Sequence, residues 1–145
     1  MFKHLLVPTD GSELSTRAAH TAIELAQACQ AGIHVLHVVP PFHTVSYMAE
    51  MLAATEISYT QESIARAERI LADVRDLAAR AHVPCDSSYV LDDRPHQVIT
   101  ETARDKQCDL IVMASHGWRG LNRLLLGSET HKVLLKSDVP VLVCH

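Results

Sequence analysis

The chain has 145 residues, of which 48% are hydrophobic and 21% charged, and its formal net charge is −4 at pH 7. This length fits one domain spanning residues 1–145, with enough apolar residues for a sizeable core. No apolar run approaches the ~20 residues that a membrane-spanning helix needs, and no basic block marks a nucleic-acid surface. Residues 1–8 reach a proline too early for a secretory signal. We therefore expect a cytoplasmic protein that binds neither membranes nor nucleic acids.

Apolar, β-branched runs alternate with stretches of helical period along the whole chain. This alternation is typical of β-α-β units and predicts an α/β fold, an open five-stranded parallel sheet with helices on both faces. The predicted strands are residues 5–7, 33–39, 88–91, 110–114 and 139–144. The last of them is expected at an edge of the sheet. Because such edges tend to be covered by pairing, we expect a homodimer through residues 139–144.

The first two helices are predicted from apolar spacing and end signals. The first begins near Ser12 and ends at Gly32, with this glycine as its C-terminal cap. The second covers residues 61–81 and carries charge pairs four residues apart on a solvated face. These pairs are Glu62–Arg66, Arg69–Asp73 and Asp76–Arg80.

Two shorter helices and one long loop complete the predicted elements. Asp93 followed by Pro95 predicts the cap and first-turn proline of a third helix, and Ser128 is expected to cap a fourth. Residues 43–60 have no clean period and are predicted to form a mobile loop that serves as a lid or partner surface.

A glycine-punctuated segment joins the apolar run ending at Ala114 to the last predicted helix. It reads Ala114-Ser115-His116-Gly117, then nine residues, then Gly127-Ser128. Glycine lets backbone approach a ligand closely, and free N–H groups at a helix start attract anions, so the segment predicts a phosphate site. The alternative is a loop with an ordinary helix cap. For Ser128 and the hydroxyl of Thr130, one geometry serves both interpretations.

Three segments are expected to converge at the carboxyl ends of the strands, where open parallel sheets bind ligands. They are residues 8–12, the end of the second strand at Val38, and the glycine segment. Asp10 offers acceptors for ribose hydroxyls, and with Glu13 it also has the spacing of a capping box. The two interpretations of Asp10 are compatible. Val38 offers backbone and a small apolar side chain to an adenine, although most strand valines are simply core.

The common catalytic signatures are absent. Neither G-x-x-x-x-G-K-[ST] nor G-x-G-x-x-G occurs, so neither the common NTPase loop nor the dinucleotide fingerprint is supported. Ser115 and His116 are sequence neighbours, which we do not take as a hydrogen-bonded pair, and no G-x-S-x-G elbow occurs. We predict no catalytic residue. His116 is kept as a ligand contact, and Arg119 with Arg123 forms a cationic cluster suited to a small anion.

Cysteines and histidines do not predict a metal site. The cysteines show no C-x-x-C spacing and are expected to be reduced core thiols; they are Cys29, Cys85, Cys108 and Cys144. The ten histidines are scattered. His34 and His37 lie three apart on one strand and so point to opposite faces.

With these residues in place, the chain resembles the universal stress protein family over nearly its full length. Residues 8–12 match its Pro-x-Asp-x-Ser segment, His37-Val38 its strand ending in His-Val, and residues 114–128 its G-x2-G-x9-G-[ST] segment. The resemblance implies a sheet of order 3-2-1-4-5, a dimer and, in one subgroup, binding of ATP or related adenine nucleotides.

The resemblance also implies roles for single residues. Asp10 would meet the ribose, Val38 the adenine through its backbone, and Met113 the pocket wall. The phosphates would be lined by Gly117, Gly127, Ser128 and Thr130. The full predicted set of nucleotide-binding residues is Pro8, Thr9, Asp10, Val38, Met113, Ala114, His116, Gly117, Arg119, Gly127, Ser128, Glu129 and Thr130.

The chain departs from the family pattern at two places. Ala114 replaces the first glycine of the long segment, and its methyl group narrows the backbone approach there. The segment Asp92-Asp93-Arg94-Pro95 lacks the glycine that the family commonly has two residues before the proline. Acidic side chains there either repel a triphosphate or hold a bridging cation, and the sequence leaves both open.

The predicted function is a homodimeric stress-response protein that binds ATP or AMP, with Mg²⁺ as a candidate companion, and uses occupancy as a signal. Any hydrolysis should be slow, because no general base or transition-state cation is evident. Two alternatives stay open. One is a nucleotide-free protein-interaction module, which Ala114 favours. The other is an ATP hydrolase or nucleotidyl-transfer enzyme with His116 or Asp10 in a catalytic role.

Overall fold

The computed structural model describes residues 1–42, 49–117 and 126–145; for residues 49–54 it describes the backbone alone. Strands and helices alternate along the chain. The strands are β1 (His4–Pro8), β2 (Gly32–Val39), β3 (Cys85–Leu91), β4 (Leu110–Ala114) and β5 (Val141–Cys144). The helices are α1 (Glu13–Cys29), α2 (Ala49–Arg80), α3 (Pro95–Asp105) and α4 (Ser128–Lys136).

The five strands form one parallel sheet in the order β3-β2-β1-β4-β5. This confirms the predicted α/β class and the strand order that the resemblance implies. The chain leaves β3 at one edge and enters β4 on the other side of β1, so the direction of winding reverses between β1 and β4. Ligand sites in open α/β sheets lie at such a reversal, outside the carboxyl ends of the strands.

Alternation along β1 divides the core into two apolar layers. Leu5 and Val7 pack in the layer that contains Ala22 of α1 and side chains of α2. Leu6, between them, belongs to the opposite layer with residues of α3 and α4. Because successive side chains of a strand point to opposite faces, β1 is covered on both sides and reads as an unbroken apolar run.

The ladder between β1 and β4 is short. It joins Leu5 to Leu110 and Leu6 to Ile111, although β1 continues to Pro8 and β4 to Ala114. In contrast, β1 pairs with β2 along its whole length. The ladder therefore ends before the carboxyl ends of β1 and β4, and we call the region outside these two strand ends the crevice.

The prediction of a loop over residues 43–60 is wrong for residues 49–60, which belong to α2. Residues 43–48 lie outside the described part of the chain. The first turns of α2 show no helical period of apolar residues in the sequence because residues 55–58 are all exposed, including Ile57 at 60%. Alanine, leucine, methionine and glutamate are strong helix formers, so intrinsic propensity was the better signal here than apolar spacing.

Several predicted ends and pairs also need correction. Helix α1 ends at Cys29, its C-cap is Gln30 in the left-handed conformation, and Gly32 is instead the first residue of β2. Strand β3 begins earlier than predicted, at Cys85, because a partly exposed edge strand tolerates polar residues. Strand β5 begins later, at Val141, after Pro140. The three predicted charge pairs of α2 lie on an exposed face as expected, but none closes to an ion pair within the described residues.

The four cysteines are free, but of the predicted core positions only that of Cys108 is fully buried; Cys29, Cys85 and Cys144 pack half-buried against the core. Burial raises the pKa of Cys85 and of Cys108 to about 11, which keeps both thiols protonated at neutral pH. Among the described residues, no helix is both long and apolar enough to cross a membrane.

Candidate functional site

The turn after β1 presents Asp10 at the crevice. The Asp10 carboxylate accepts a hydrogen bond from the Ser12 amide through Oδ1, at 2.9 Å. Ser12 is the N-cap of α1 and accepts from the amide of Ser15, at 3.2 Å. The predicted capping box of Asp10 and Glu13 is therefore wrong. Asp10 lies two residues before the cap, and the turn that it closes holds its carboxylate at the mouth of the crevice.

A histidine that the sequence analysis did not assign to the site fixes this turn. His37 lies near the end of β2, is 9% exposed, and donates from Nδ1 to the carbonyl oxygen of Thr9, at 2.8 Å. The buried hydroxyl of Thr9 lies 3.0 Å from that of Ser15. A polar residue inside an otherwise apolar strand was the signal that could have identified His37, because a buried ring nitrogen needs a partner.

Gly117 lies directly against Asp10. A Cβ atom built on Gly117 would overlap Asp10 Oδ2, so a side chain at position 117 would displace the carboxylate. The first part of the glycine segment and the turn after β1 are thereby brought together, as predicted. The reason for a glycine at 117 is this close approach.

Gly127, at the end of the glycine segment, contacts the residues at the beginning of that segment. Its amide donates to the carbonyl oxygen of Ser115, at 2.7 Å. A Cβ atom at Gly127 would lie 2.9 Å from that oxygen and 3.0 Å from the Cα of His116. Backbone atoms occupy the space of a side chain, and this contact brings the start of α4 beside the end of β4.

Helix α4 begins without a side-chain cap. Gly127 is its N-cap, and Ser128 is the first helical residue, which corrects the prediction that Ser128 caps the helix. Within the described residues, the amides of Ser128, Glu129 and Thr130 have no hydrogen-bond acceptor. The first amides of a helix need partners from outside it, and together with the helix dipole they favour an anion.

The Thr130 side chain contributes to the framework of the site. It is 3% exposed, and its hydroxyl donates to the carbonyl oxygen of Ala114, at 2.9 Å. Ser115 donates its amide to Cys144 of β5, at 2.8 Å. Ser115 Oγ also lies 3.1 Å from Nδ1 of His116, so the two neighbours are a hydrogen-bonded pair, contrary to the sequence interpretation. These bonds tie the end of β4 to α4 and β5.

Glu129 of α4 joins this helix to α3 through hydrogen bonds. Its Oε2 accepts from the amide of His96, at 2.9 Å, and from His96 Nδ1, at 3.0 Å, while Oε1 accepts from Lys132, at 3.1 Å. The N-cap of α3 is Arg94, which makes no side-chain cap, so the predicted cap by Asp93 is wrong, whereas Pro95 does begin the helix. Partial burial alone would raise the pKa of Glu129, but these hydrogen bonds outweigh it and lower the pKa.

The remaining predicted residues lie around the crevice or outside the described part. Pro8 and Met113 are buried at the ends of β1 and β4. Val38 is half-buried, pairs with Val90 of β3 and packs in the layer that contains Met113. Arg119 and Arg123 fall within 118–125, outside the described residues.

An open pocket of about 500 Å³ adjoins Asp10. It is lined by Asp10, Gly11, Arg66 and Ile70. The last two belong to α2, so this helix contributes a wall that the sequence analysis did not assign to the site. Arg66 is exposed and makes no hydrogen bond or ion pair within the described residues.

The acidic segment after β3 is organised by an arginine. Asp92 Oδ1 accepts from the backbone amide of Arg94, at 2.8 Å, and from its Nε, at 3.2 Å. The side-chain hydrogen bond from Arg94, followed by the backbone one, lowers the pKa of Asp92. In the described part of the chain, no three His, Cys, Asp or Glu side chains are grouped to hold a metal ion.

Comparison with known proteins agrees with this geometry. The sequence model of the universal stress protein family matches residues 1–145. The chain belongs to the universal stress protein family. Universal stress protein YxiE of Bacillus subtilis is 32% identical over 147 residues, which cover 99% of each chain.

Two solved structures extend the comparison to the fold. The structure of MJ0577, a protein of Methanocaldococcus jannaschii, superposes with a TM-score of 0.83 at 27% identity and covers 99% of this chain and 96% of its own. A universal stress protein in complex with cAMP superposes with a TM-score of 0.74 at 25% identity, covering 99% of this chain and 97% of its own. The predicted family is thus confirmed.

Proposed function

We propose that this universal stress protein binds an adenine nucleotide, ATP or AMP, in the crevice between β1 and β4. The observation that carries the proposal is the start of α4, where three consecutive amides have no acceptor among the described residues and follow the close contact of Gly127 with the end of β4. Asp10 lies beside Gly117 at the same crevice and supplies acceptors for ribose hydroxyls. A related universal stress protein solved with cAMP supports an adenine nucleotide as the ligand.

In this arrangement the phosphates lie at the amides of Ser128, Glu129 and Thr130, and the ribose lies at Asp10. Val38 and Met113 line the apolar side where the adenine packs. Backbone amides bind an anion without side-chain reorganisation, which suits recognition of a phosphate tail. Mg²⁺ with the phosphates and a contact from Arg119 stay predictions.

The proposal is tested by placing a negative charge at the start of α4. Ser128→Asp keeps a favourable residue for a helix N-terminus, but it should repel a phosphate held by the first amides. We expect ATP affinity in calorimetric titration to fall at least tenfold relative to Ser128→Asn, which has the same shape without the charge. Equal ATP affinity of the two variants would place the phosphates elsewhere.

Ligand binding should also stabilise the unmodified protein. A ligand at 100 times its dissociation constant adds about 2.7 kcal/mol to the free energy of unfolding. A thermal shift with ATP or AMP is therefore expected. Its absence with ATP, ADP and AMP would favour the nucleotide-free interaction module, the alternative that Ala114 supports.

We propose that nucleotide occupancy serves as a signal and that hydrolysis is slow. No residue in the described crevice forms a nucleophile with an oriented base beyond the pair of Ser115 and His116, and Ser115 is only 2% exposed. A steady-state ATP turnover below about 1 per second is expected. Faster turnover would support the enzymatic alternative.

We further propose a homodimer through residues 139–144 in a cytoplasmic protein. Strand β5 lies at an edge of the sheet and pairs with β4 on one side. Leu142 is 38% exposed there, and Leu135 of α4 is 72% exposed. A second copy that pairs with this edge would remove Leu142 from water. Sedimentation at micromolar concentration should give a dimer, and Leu142→Glu should shift it toward monomer; a monomeric unmodified chain would contradict the proposal.

A further inference from the structure

The pocket beside Asp10 contains a cation with no partner in the described structure. Arg66 of α2 lines the same 500 Å³ pocket as Asp10 and Gly11. Its predicted partner Glu62, one turn earlier, does not close to an ion pair with it in the described part of the chain. The guanidinium is therefore available at a pocket whose other charged wall is a carboxylate.

Two other cations in the described part of the chain, in the segment after β3 and in α4, are engaged in ion pairs. Arg94 donates to Asp92, and Lys132 donates to Glu129. A cation close to an anionic nucleotide attracts it and strengthens its binding. Arginine suits this role because its planar guanidinium offers several N–H donors to phosphate oxygens.

Resting on the proposed function, we propose that Arg66 is a binding residue of the nucleotide site that contacts a phosphate group of the ligand. Arg66 makes the site select phosphorylated adenosine over adenosine itself. Helix α2 thus becomes a wall of the nucleotide site, in addition to the two strand-to-helix turns. Because Arg66 is exposed, water and salt screen its charge and the effect is modest.

The test compares ATP with adenosine as calorimetric ligands at about 50 mM salt, where the Debye length exceeds ~10 Å. Arg66→Gln should weaken ATP binding about three- to fivefold, the range of an exposed ion pair, and leave adenosine binding unchanged. The matched control is Arg69→Gln, an exposed arginine of the same helix that does not line the pocket. It should leave both affinities unchanged.

The outcomes separate this inference from the function on which it rests. If the unmodified chain binds no ATP, the proposed function and the role of Arg66 both fail. If it binds ATP and Arg66→Gln binds it equally well, the role of Arg66 alone is overturned. An equal loss for ATP and adenosine also overturns it, because Arg66 would then be a packing contact with no preference for phosphate.

Discussion

Two strand-to-helix turns meet at the crevice, and they differ in whether a side chain caps the first turn of the following helix. After β1, the side chain of Ser12 caps α1, and Asp10 Oδ1 closes the turn before it. After β4, Gly127 is the N-cap of α4 and offers no side chain, and the first amides of this helix have no acceptor among the described residues. At α1 the protein itself supplies an acceptor for the Ser15 amide, whereas at α4 the described residues supply none for the first three amides.

The two helix starts at this edge of the sheet differ in what they contribute to the protein. A capped helix start stabilises the fold, because the cap replaces water as the partner of an amide. An open helix start stabilises little until an anion arrives. The two turns touch where Asp10 lies against Gly117, so a ribose and a phosphate tail can be bound by adjacent segments.

The largest effect is expected at the close contact of the β4–α4 turn. Gly127→Ala places a Cβ atom 2.9 Å from a backbone oxygen, so the segment must shift. We expect at least a tenfold loss of ATP affinity and a loss of about 1–3 kcal/mol in the free energy of unfolding. The control is Gly32→Ala, whose Cβ would meet nothing closer than 3.6 Å. Calorimetry and urea unfolding measure the two quantities; similar losses in both variants would contradict the role of the contact.

The next effect concerns the ribose side of the comparison. Asp10→Asn keeps an oxygen for the Ser12 amide but removes the charge that strengthens hydrogen bonds from ribose hydroxyls. We expect about tenfold weaker ATP binding, because hydrogen bonds to charged groups contribute roughly 1.5–3 kcal/mol. Titration with 2′,3′-dideoxy-ATP is the control, since it lacks those hydroxyls and should bind the two proteins alike. A tenfold loss for this analogue as well would mean that Asp10 does not contact the ribose.

A smaller effect separates the capped helix from the open one. Ser12→Ala removes the acceptor of the Ser15 amide and should lower the free energy of unfolding by about 1 kcal/mol. The same change at Ser128 removes no cap, and should change the free energy by less than ~0.5 kcal/mol. Urea unfolding without nucleotide measures both. Equal losses would show that α4 is capped by the protein after all.

The smallest effect is pH-dependent and lies at Glu129. The lowered pKa of Glu129 means that the folded state favours its charged form, so it adds stability above its ordinary value of 4.5. This contribution is lost as the pH falls through the lowered pKa. Glu129→Gln should cost about 0.5 kcal/mol at pH 7, given the partial exposure of the side chain.

The difference between Glu129→Gln and the unmodified protein should disappear as the pH falls below the lowered pKa of Glu129. The control is Glu62→Gln, an exposed α2 carboxylate without an ion pair in the described residues. It should change the free energy of unfolding by less than ~0.5 kcal/mol, the range for an exposed surface position. Thermal unfolding from pH 7 down to the acid limit measures both, and a constant difference at every pH would contradict a charge effect.

Much of the fold can be predicted from the sequence because a buried strand has a locally apolar composition. The runs around Leu5 and Ile111 are apolar on both faces, and this pattern predicts central strands of a parallel sheet. The sequence predicts too short a strand β3 because the exposed face of this edge strand admits polar residues. It predicts no helix over the first turns of α2 because residues 55–58 are exposed and show no apolar period. Local patterns describe an element well only where the core imposes a period on it.

The sequence by itself determined the family, the strand-helix alternation, the glycine segment and the position of Asp10 beside the first turn. Only the tertiary structure decided which side chains cap which helices, because Glu129 and His96 are 33 residues apart and still share a hydrogen bond. It also decided that His37 fixes the first turn and that Arg66 lines the pocket. These contacts join segments distant in the chain, and no local pattern encodes which distant partner the folding of the sheet will bring to them.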